Sequence, residues 1–257
     1  MPKPTRDLFA QHMGGLQNFA ESYGDSKLKR SRSEESLTAL IRKVDIVAAG
    51  ESKEMWANIE NLTTRVGLLK PDCKIGCDHC CYQVVAATIP EVLNVAAYVR
   101  ANFSAEQQEE LKTKLANYMR DSAPYRDKIE TSRLCCAFLV DGKCSIYGVR
   151  PSPCQWFNST DVKSCIARRS DESGPFKVAG NYLMAMPFAV LAKGVKNVLE
   201  RYNLFSGNVD FLYGLKITFD NPDAAEQYLA GVDLYAPAKL DPEEQSRVMA
   251  QAIPTDD

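Results

Sequence analysis

The sequence predicts a mainly α fold, a helical shell around an irregular cysteine-rich core. Three observations carry that expectation. Apolar residues recur at helical spacing on both sides of the middle of the chain. Capping signatures open several of those stretches. The middle holds all nine cysteines, with Gly142, Gly148, Pro151 and Pro153 among them, and shows little helical period.

The elements follow in order. Residues 1–33 read as a flexible segment: residues 22–33 are polar, and no aromatic residue interleaves with Lys27, Lys29, Arg30 and Arg32, so the basic run reads as a solvated linker. Residues 34–257 read as a single domain, with a core over 71–170 and helical flanks over 34–70 and 171–257. Ser33 caps a helix whose first turn carries Glu34 and Glu35 and whose stripe is Leu37, Leu40, Ile41, Val44 and Ala48. Gly50 marks a break, and a second helix places Met55, Ile59, Leu62, Val66 and Leu69 on one face and stops before Pro71. Thr88 and Glu91 form a capping box with Pro90 in the first turn, opening a helix to about residue 101. Ser104 and Gln107 form another, ahead of Leu111, Leu115, Tyr118 and Met119. Phe188, Leu191, Val195, Val198 and Tyr202 step as a helix, and Leu215, Ile217 and Phe219 alternate as a short strand does. Asn221 before Pro222, and Asp241 before Pro242, read as helix starts.

Composition bounds the function. The net charge of -2 gives no global field toward nucleic acid or a membrane, and neither is an expected partner. The apolar stretches at 84–99 and 178–192 are short and interrupted, below what a bilayer-spanning helix needs. The N-terminus lacks an apolar signal region, and the expected location is the cytoplasm. In a reducing compartment, clustered thiols point to metal ligation or redox chemistry rather than disulfides. With only His12 and His79 present, sulfur dominates any site.

Cys73, Cys77, Cys80 and Cys81 fall within nine residues, a spacing that lets one turning loop aim several sulfurs at one point, with Gly76 at the bend. Cys80 and Cys81 are adjacent, and neighbouring side chains point in different directions. Cys135, Cys136, Cys144, Cys154 and Cys165 are more widely spaced and need a folded loop to converge. The economical arrangement is Cys73, Cys77 and Cys80 completed by a sulfur from Cys136, Cys144, Cys154 or Cys165, with the rest in a second centre or around it. The rival is one site per group. Phe138, Leu139, Tyr147, Trp156 and Phe157 are either core or a water-excluding wall, and Arg150 either bonds sulfur or an anion, or pairs at the surface. His79 is a ligand, a proton carrier or a plain loop residue.

The run Cys73-x3-Cys77-x2-Cys80-Cys81, followed by Cys136-Ala-Phe-Leu-Val-Asp-Gly-Lys-Cys144-Ser-Ile-Tyr-Gly-Val-Arg150-Pro151-Ser-Pro-Cys154, resembles the YkgJ-type zinc- or iron-chelating cysteine-cluster family. Ala137 stands where that pattern has proline, Gln155 where arginine is common, and Cys135 is extra. The resemblance implies a bound metal ion or cluster, with Cys73, Cys77, Cys80, Cys81, Cys136, Cys144, Cys154 and Cys165 as its ligands. It also implies kinship with flagellin lysine methylases in this region.

Both zinc and an iron–sulfur cluster, of the 4Fe–4S type, accept all-thiolate ligation. Cys73-x3-Cys77-x2-Cys80 also has the spacing of the radical S-adenosylmethionine motif, but His79 stands where that motif has an aromatic, and no alternating strand–helix pattern follows. No phosphate loop and no serine, histidine and carboxylate constellation is present. Three functions stay open: a metal-cluster protein for redox, sensing or metal handling; a cluster-dependent protein lysine methylase; and a structural-zinc module whose helices face a protein partner.

Overall fold

The computed structural model describes residues 3–60, 70–125, 132–170, 178, 180–241 and 243. Its described residues are mainly helical, as expected, with little strand. Helix α1 (Lys3–Arg30) replaces the flexible segment expected over 1–33. Its stripe of Met13, Leu16, Ala20 and Leu28 is buried. Small residues fill the tightest positions of that stripe, which weakens its hydropathy signal. A Cβ on Gly24 would stand 2.9 Å from a methyl of Val198, and one on Gly194 would stand 2.6 Å from the carbonyl oxygen of Gln17. The backbones of α1 and of α7 (Met186–Arg201) therefore approach closely. Glu21 seals the pair, accepting from Gln17, Asn197 and Arg201.

Helix α2 (Glu34–Glu60) runs unbroken through Gly50, where a break was expected. Gly50 is exposed, and a lone glycine in a helix costs only about 1 kcal/mol against alanine, less than the helix gains by packing. Ser33 Oγ accepts from the Ser36 N–H, as a cap does. Leu37, Leu40, Ile41, Val44 and Ala48 are all buried. The expected stripe at Ile59, Leu62, Val66 and Leu69 lies outside the described side chains.

Two capping boxes form where the sequence placed them. Thr88 opens α3 (Ile89–Asn102), and Ser104 opens α4 (Ala105–Ser122). Helix α3 is buried on nearly every side and packs on α2 and on α8 (Phe211–Asp220). Strand β1 (Ala86–Thr88) pairs antiparallel with β4 (Asn208–Asp210), Ala87 opposite Val209. The strand expected at Leu215, Ile217 and Phe219 is instead part of α8. Asp210 decides it: one carboxylate oxygen accepts from the N–H groups of Leu212 and Tyr213, which starts the helix, and the other accepts from Tyr118 Oη. Asn221 closes α8 rather than opening the next helix; α9 (Ala224–Leu229) begins after Asp223. Asp241 Oδ1 accepts from the Glu243 N–H, as a cap would, and the residues after Glu243 lie outside the description.

Candidate metal centre

The cysteine region hangs from this shell on short, turn-rich pieces. Gly76 takes φ +86°, a left-handed conformation suited to glycine, and the Cys77 N–H closes a turn on the Lys74 carbonyl. A 3-10 turn over His79–Tyr82 then carries Cys80 and Cys81. Their side chains hydrogen-bond each other, so the adjacent thiols do not point apart as expected. Asp141 and Gly142, both at positive φ, form a tight hairpin between β2 (Leu139–Val140) and β3 (Lys143–Cys144). Leu139 pairs with Cys144, and the Leu139 N–H bonds the Cys136 carbonyl, so the hairpin folds Cys144 back toward Cys136.

Three anchors hold these loops. Phe138 is buried and packs its ring against Phe103 and Phe211. The Cys136 N–H donates to the Cys81 carbonyl at 2.8 Å, joining the two cysteine groups. Helix α5 (Ser152–Trp156), which carries Cys154, is held at its start by Glu91: one carboxylate oxygen accepts from the N–H and hydroxyl of Ser152 at 2.8 and 2.7 Å. Helix α6 (Val162–Ser170) carries Cys165. The sequence reading did not include Glu91 in the site. Its capping role was legible, but its second oxygen reaches a residue 61 positions away.

A cavity of about 590 Å³ opens at the junction, bordered by Cys73, Cys77, Cys80, Cys81, Cys136, Cys144 and Cys154. Cys165 borders a small neighbouring pocket that it shares with Cys80. The structure thus brings the two cysteine groups together. Cys135 is exposed and borders neither cavity. All nine cysteines are free thiols. As the side chains stand, no three His, Cys, Asp or Glu among the described residues form a group that could hold a metal ion.

Electrostatics follow from crowding. Burial, with neighbouring thiols, pushes Cys136 up to about 12 and raises Cys73, Cys154 and Cys165. Burial likewise raises Cys144, and there Arg150 works against it. Cys80 is held down at about 7 because the Cys81 thiol donates to it, and Cys81 is raised in consequence. Arg150 is the cation that favours thiolate at Cys80, Cys144 and Cys154, and its guanidinium lies 3.8 Å from the Tyr147 ring centroid. The cavity wall also holds Lys74 and Lys143 and, among the described residues, no carboxylate. Of the aromatic residues that the sequence left as either core or wall, Trp156, Phe157 and Tyr147 line the cavity, whereas Phe138 is core. Nδ1 of His79 is buried without a hydrogen-bond partner among the described residues, and Asp78 beside it pairs with Arg169.

The donor chemistry fits a soft or borderline metal: many thiols, few competing oxygens, and cations to offset thiolate charge. Residues 72–173 match the CxxCxxCC family, described as "Putative zinc- or iron-chelating domain". The resemblance to the cysteine-cluster family therefore holds over this segment, and the CxxCxxCC segment spans both cysteine groups, Cys165 included. No curated protein and no solved structure matches the chain. No helix among the described residues is long and apolar enough to cross a membrane.

Proposed function

We propose that the CxxCxxCC segment chelates zinc or iron through its cysteine thiolates, with Cys73, Cys77, Cys80, Cys81, Cys136, Cys144, Cys154 and Cys165 as the ligands, and that the centre serves redox, sensing or metal handling. The observation that carries this reading is convergence: seven thiols from two separate stretches border one cavity. Isolated core cysteines have no reason to cluster in this way. A zinc ion would brace the loops, whereas an iron–sulfur cluster of the 4Fe–4S type would add electron transfer. In either case Arg150 offsets thiolate charge, and Trp156 and Phe157 keep water from the sulfurs.

Anaerobic purification with metal analysis and a visible spectrum tests the proposal. A brown protein with broad absorption indicates iron–sulfur, and a colourless one with stoichiometric zinc indicates a structural module. Cys77→Ser should sharply lower metal content, because a hydroxyl replaces a thiolate poorly at such a metal, while Cys135→Ser should leave it unchanged. A full chain that takes up neither metal under reducing conditions would refute chelation.

The size of the cavity supports a second reading. It extends past the thiols to Val85, Met184, Phe211 and Leu212, and its volume lies within the roughly 300–1,000 Å³ typical of small-molecule pockets. A cluster-dependent, S-adenosylmethionine-using protein lysine methylase needs such room. Incubation with that cofactor and a reductant should then give cofactor cleavage or methyl transfer; neither product would leave the non-catalytic role.

A further inference from the structure

The cavity differs in character between its floor and its rim. The floor is apolar and belongs to the helical shell: Val85, Met184, Phe211 and Leu212. Phe211 and Leu212 are buried, and the Phe211 N–H donates to the Val85 carbonyl at 2.9 Å. Ser52 Oγ, from α2, donates to the Met184 carbonyl, also at 2.9 Å. This floor is therefore set before any ligand arrives. The rim is cationic. Lys74 and Lys143 border the cavity and are exposed, and neither has a hydrogen-bond or ion-pair partner among the described residues. Arg150 is half-buried and fixed twice on Tyr147: its Nε donates to the Tyr147 carbonyl at 3.2 Å, and its guanidinium lies 3.8 Å from the ring centroid. The donors on its two Nη atoms meet no acceptor among the described residues. The nearest carboxylates in sequence to the first loop are engaged elsewhere. Asp72 Oδ2 accepts from the Val162 N–H, and Asp78 pairs with Arg169.

We infer that this cavity binds a small organic acid with an apolar body, the acid group taken at the rim by Arg150, Lys74 and Lys143 and the body seated on the shell floor. The inference goes beyond the chelation reading and uses no thiol. Three cations around one opening, with no carboxylate among the described residues that line it, favour an anion. A guanidinium whose forked end is unpaired and whose plane is held by stacking suits an oxyanion in particular, because the fork matches two oxygens at once. The floor supplies the other half of the recognition. A volume of about 590 Å³ holds a medium alkyl chain or a pair of fused rings. Inorganic phosphate would leave the floor empty, and an uncharged apolar molecule would leave the cations unpaired. Only a molecule with both parts uses both ends. The exposed rim residues Ile75 and Tyr147 extend the apolar surface outward beside the lysines, so the body meets apolar surface on its way in.

The test uses the full chain, purified anaerobically, with its metal content measured on the same sample. Anilinonaphthalene sulfonate, an aromatic acid that fluoresces in apolar surroundings, serves as reporter; decanoate and decanol, which share a chain length and differ in the acid group, serve as competitors. The reporter should saturate at one equivalent, and decanoate should displace it at about one-tenth the concentration that decanol needs. Arg150→Gln, and separately the pair Lys74→Gln with Lys143→Gln, should weaken decanoate about tenfold and leave decanol unchanged. The lysines are exposed, so the paired variant decides should Arg150→Gln fail to fold. Absence of saturable reporter binding overturns the inference, as does equal displacement by acid and alcohol, or decanoate affinity unchanged in the folded variants. A chain that takes up no metal yet binds decanoate in this pattern would refute chelation and leave this inference standing; a metal-loaded chain that binds neither probe would do the reverse.

Discussion

Glu91→Ala tests whether the helical shell positions the cysteine cage. Glu91 is 6% exposed and takes four donors. The Thr88 N–H and Oγ1 reach one oxygen at 2.7 and 2.8 Å, and the Ser152 N–H and Oγ reach the other. The two hydroxyls can turn to other acceptors, but the two backbone N–H groups cannot. Stranding them costs about 1–3 kcal/mol each, or about 2–6 together. Relief of the cost of holding a carboxylate away from water offsets part of this. The expected loss is about 2–4 kcal/mol in denaturant unfolding. Because Ser152 opens the short helix that carries Cys154, metal affinity should fall as well. Thr88→Ala is the control: it removes only the cap, for about 1 kcal/mol, and should leave metal affinity unchanged. A Glu91→Ala protein within about 0.5 kcal/mol of wild type, the range of ordinary surface substitutions, would refute the argument.

Three further outcomes follow from the same geometry. Burial and the nearby Glu91 hold Asp45 up at about 8, against the ordinary 3.8. The folded state therefore keeps a proton that the unfolded chain has already lost, so this group's stabilisation is full below pH of about 4 and fades as pH rises through about 8. Asp45→Asn should flatten that slope and raise the unfolding midpoint at pH 8; an unchanged slope would contradict the assignment. Gly194→Ala should destabilise by about 1–2 kcal/mol although alanine favours helix, because its Cβ would meet the Gln17 carbonyl at 2.6 Å and Ala20 Cβ at 2.7 Å; an unchanged or higher melting temperature would show that α1 yields freely. Metal removal should leave most of the far-ultraviolet helix signal and speed hydrogen exchange selectively across residues 132–165; collapse of the whole helix signal would mean that the shell depends on the metal.

What could be read from the sequence divides along the range of the interactions. The caps at Thr88 and Ser104 are local, three residues from donor to acceptor, and both were legible. The apolar stripes of α2 and α7 were legible because large residues mark them. The stripe of α1 was not, since Gly24 and Ala20 pack by being small and carry no hydropathy signal. Leu215, Ile217 and Phe219 alternate as a strand would, yet the alternation lost to Asp210, whose cap starts α8, and to burial of Leu215 and Ile217 alike. In the site, the residue types and their two groups were plain. Their convergence in space was not, because it runs through the Cys136–Cys81 backbone bond and through the second carboxylate oxygen of Glu91.

The arrangement has a physical logic. Loops that aim sulfurs inward make few bonds of their own; among the described residues the cysteine region has only a two-residue hairpin ladder and short helices. Without support, ordering such backbone costs about 1–2 kcal/mol per residue. Here the support comes from outside, at points that are themselves rigid. Phe138 is set into the core between Phe103 and Phe211, and Glu91 projects from the buried first turn of α3, where its own cap already fixes it. The Cys136–Cys81 backbone bond closes the cage between them. Loops held in this way lose less backbone freedom when their side chains close on a ligand, which is the general advantage of pre-organisation. The helical shell thereby positions the cysteine-lined cavity through Glu91 and through the aromatic rings around Phe138.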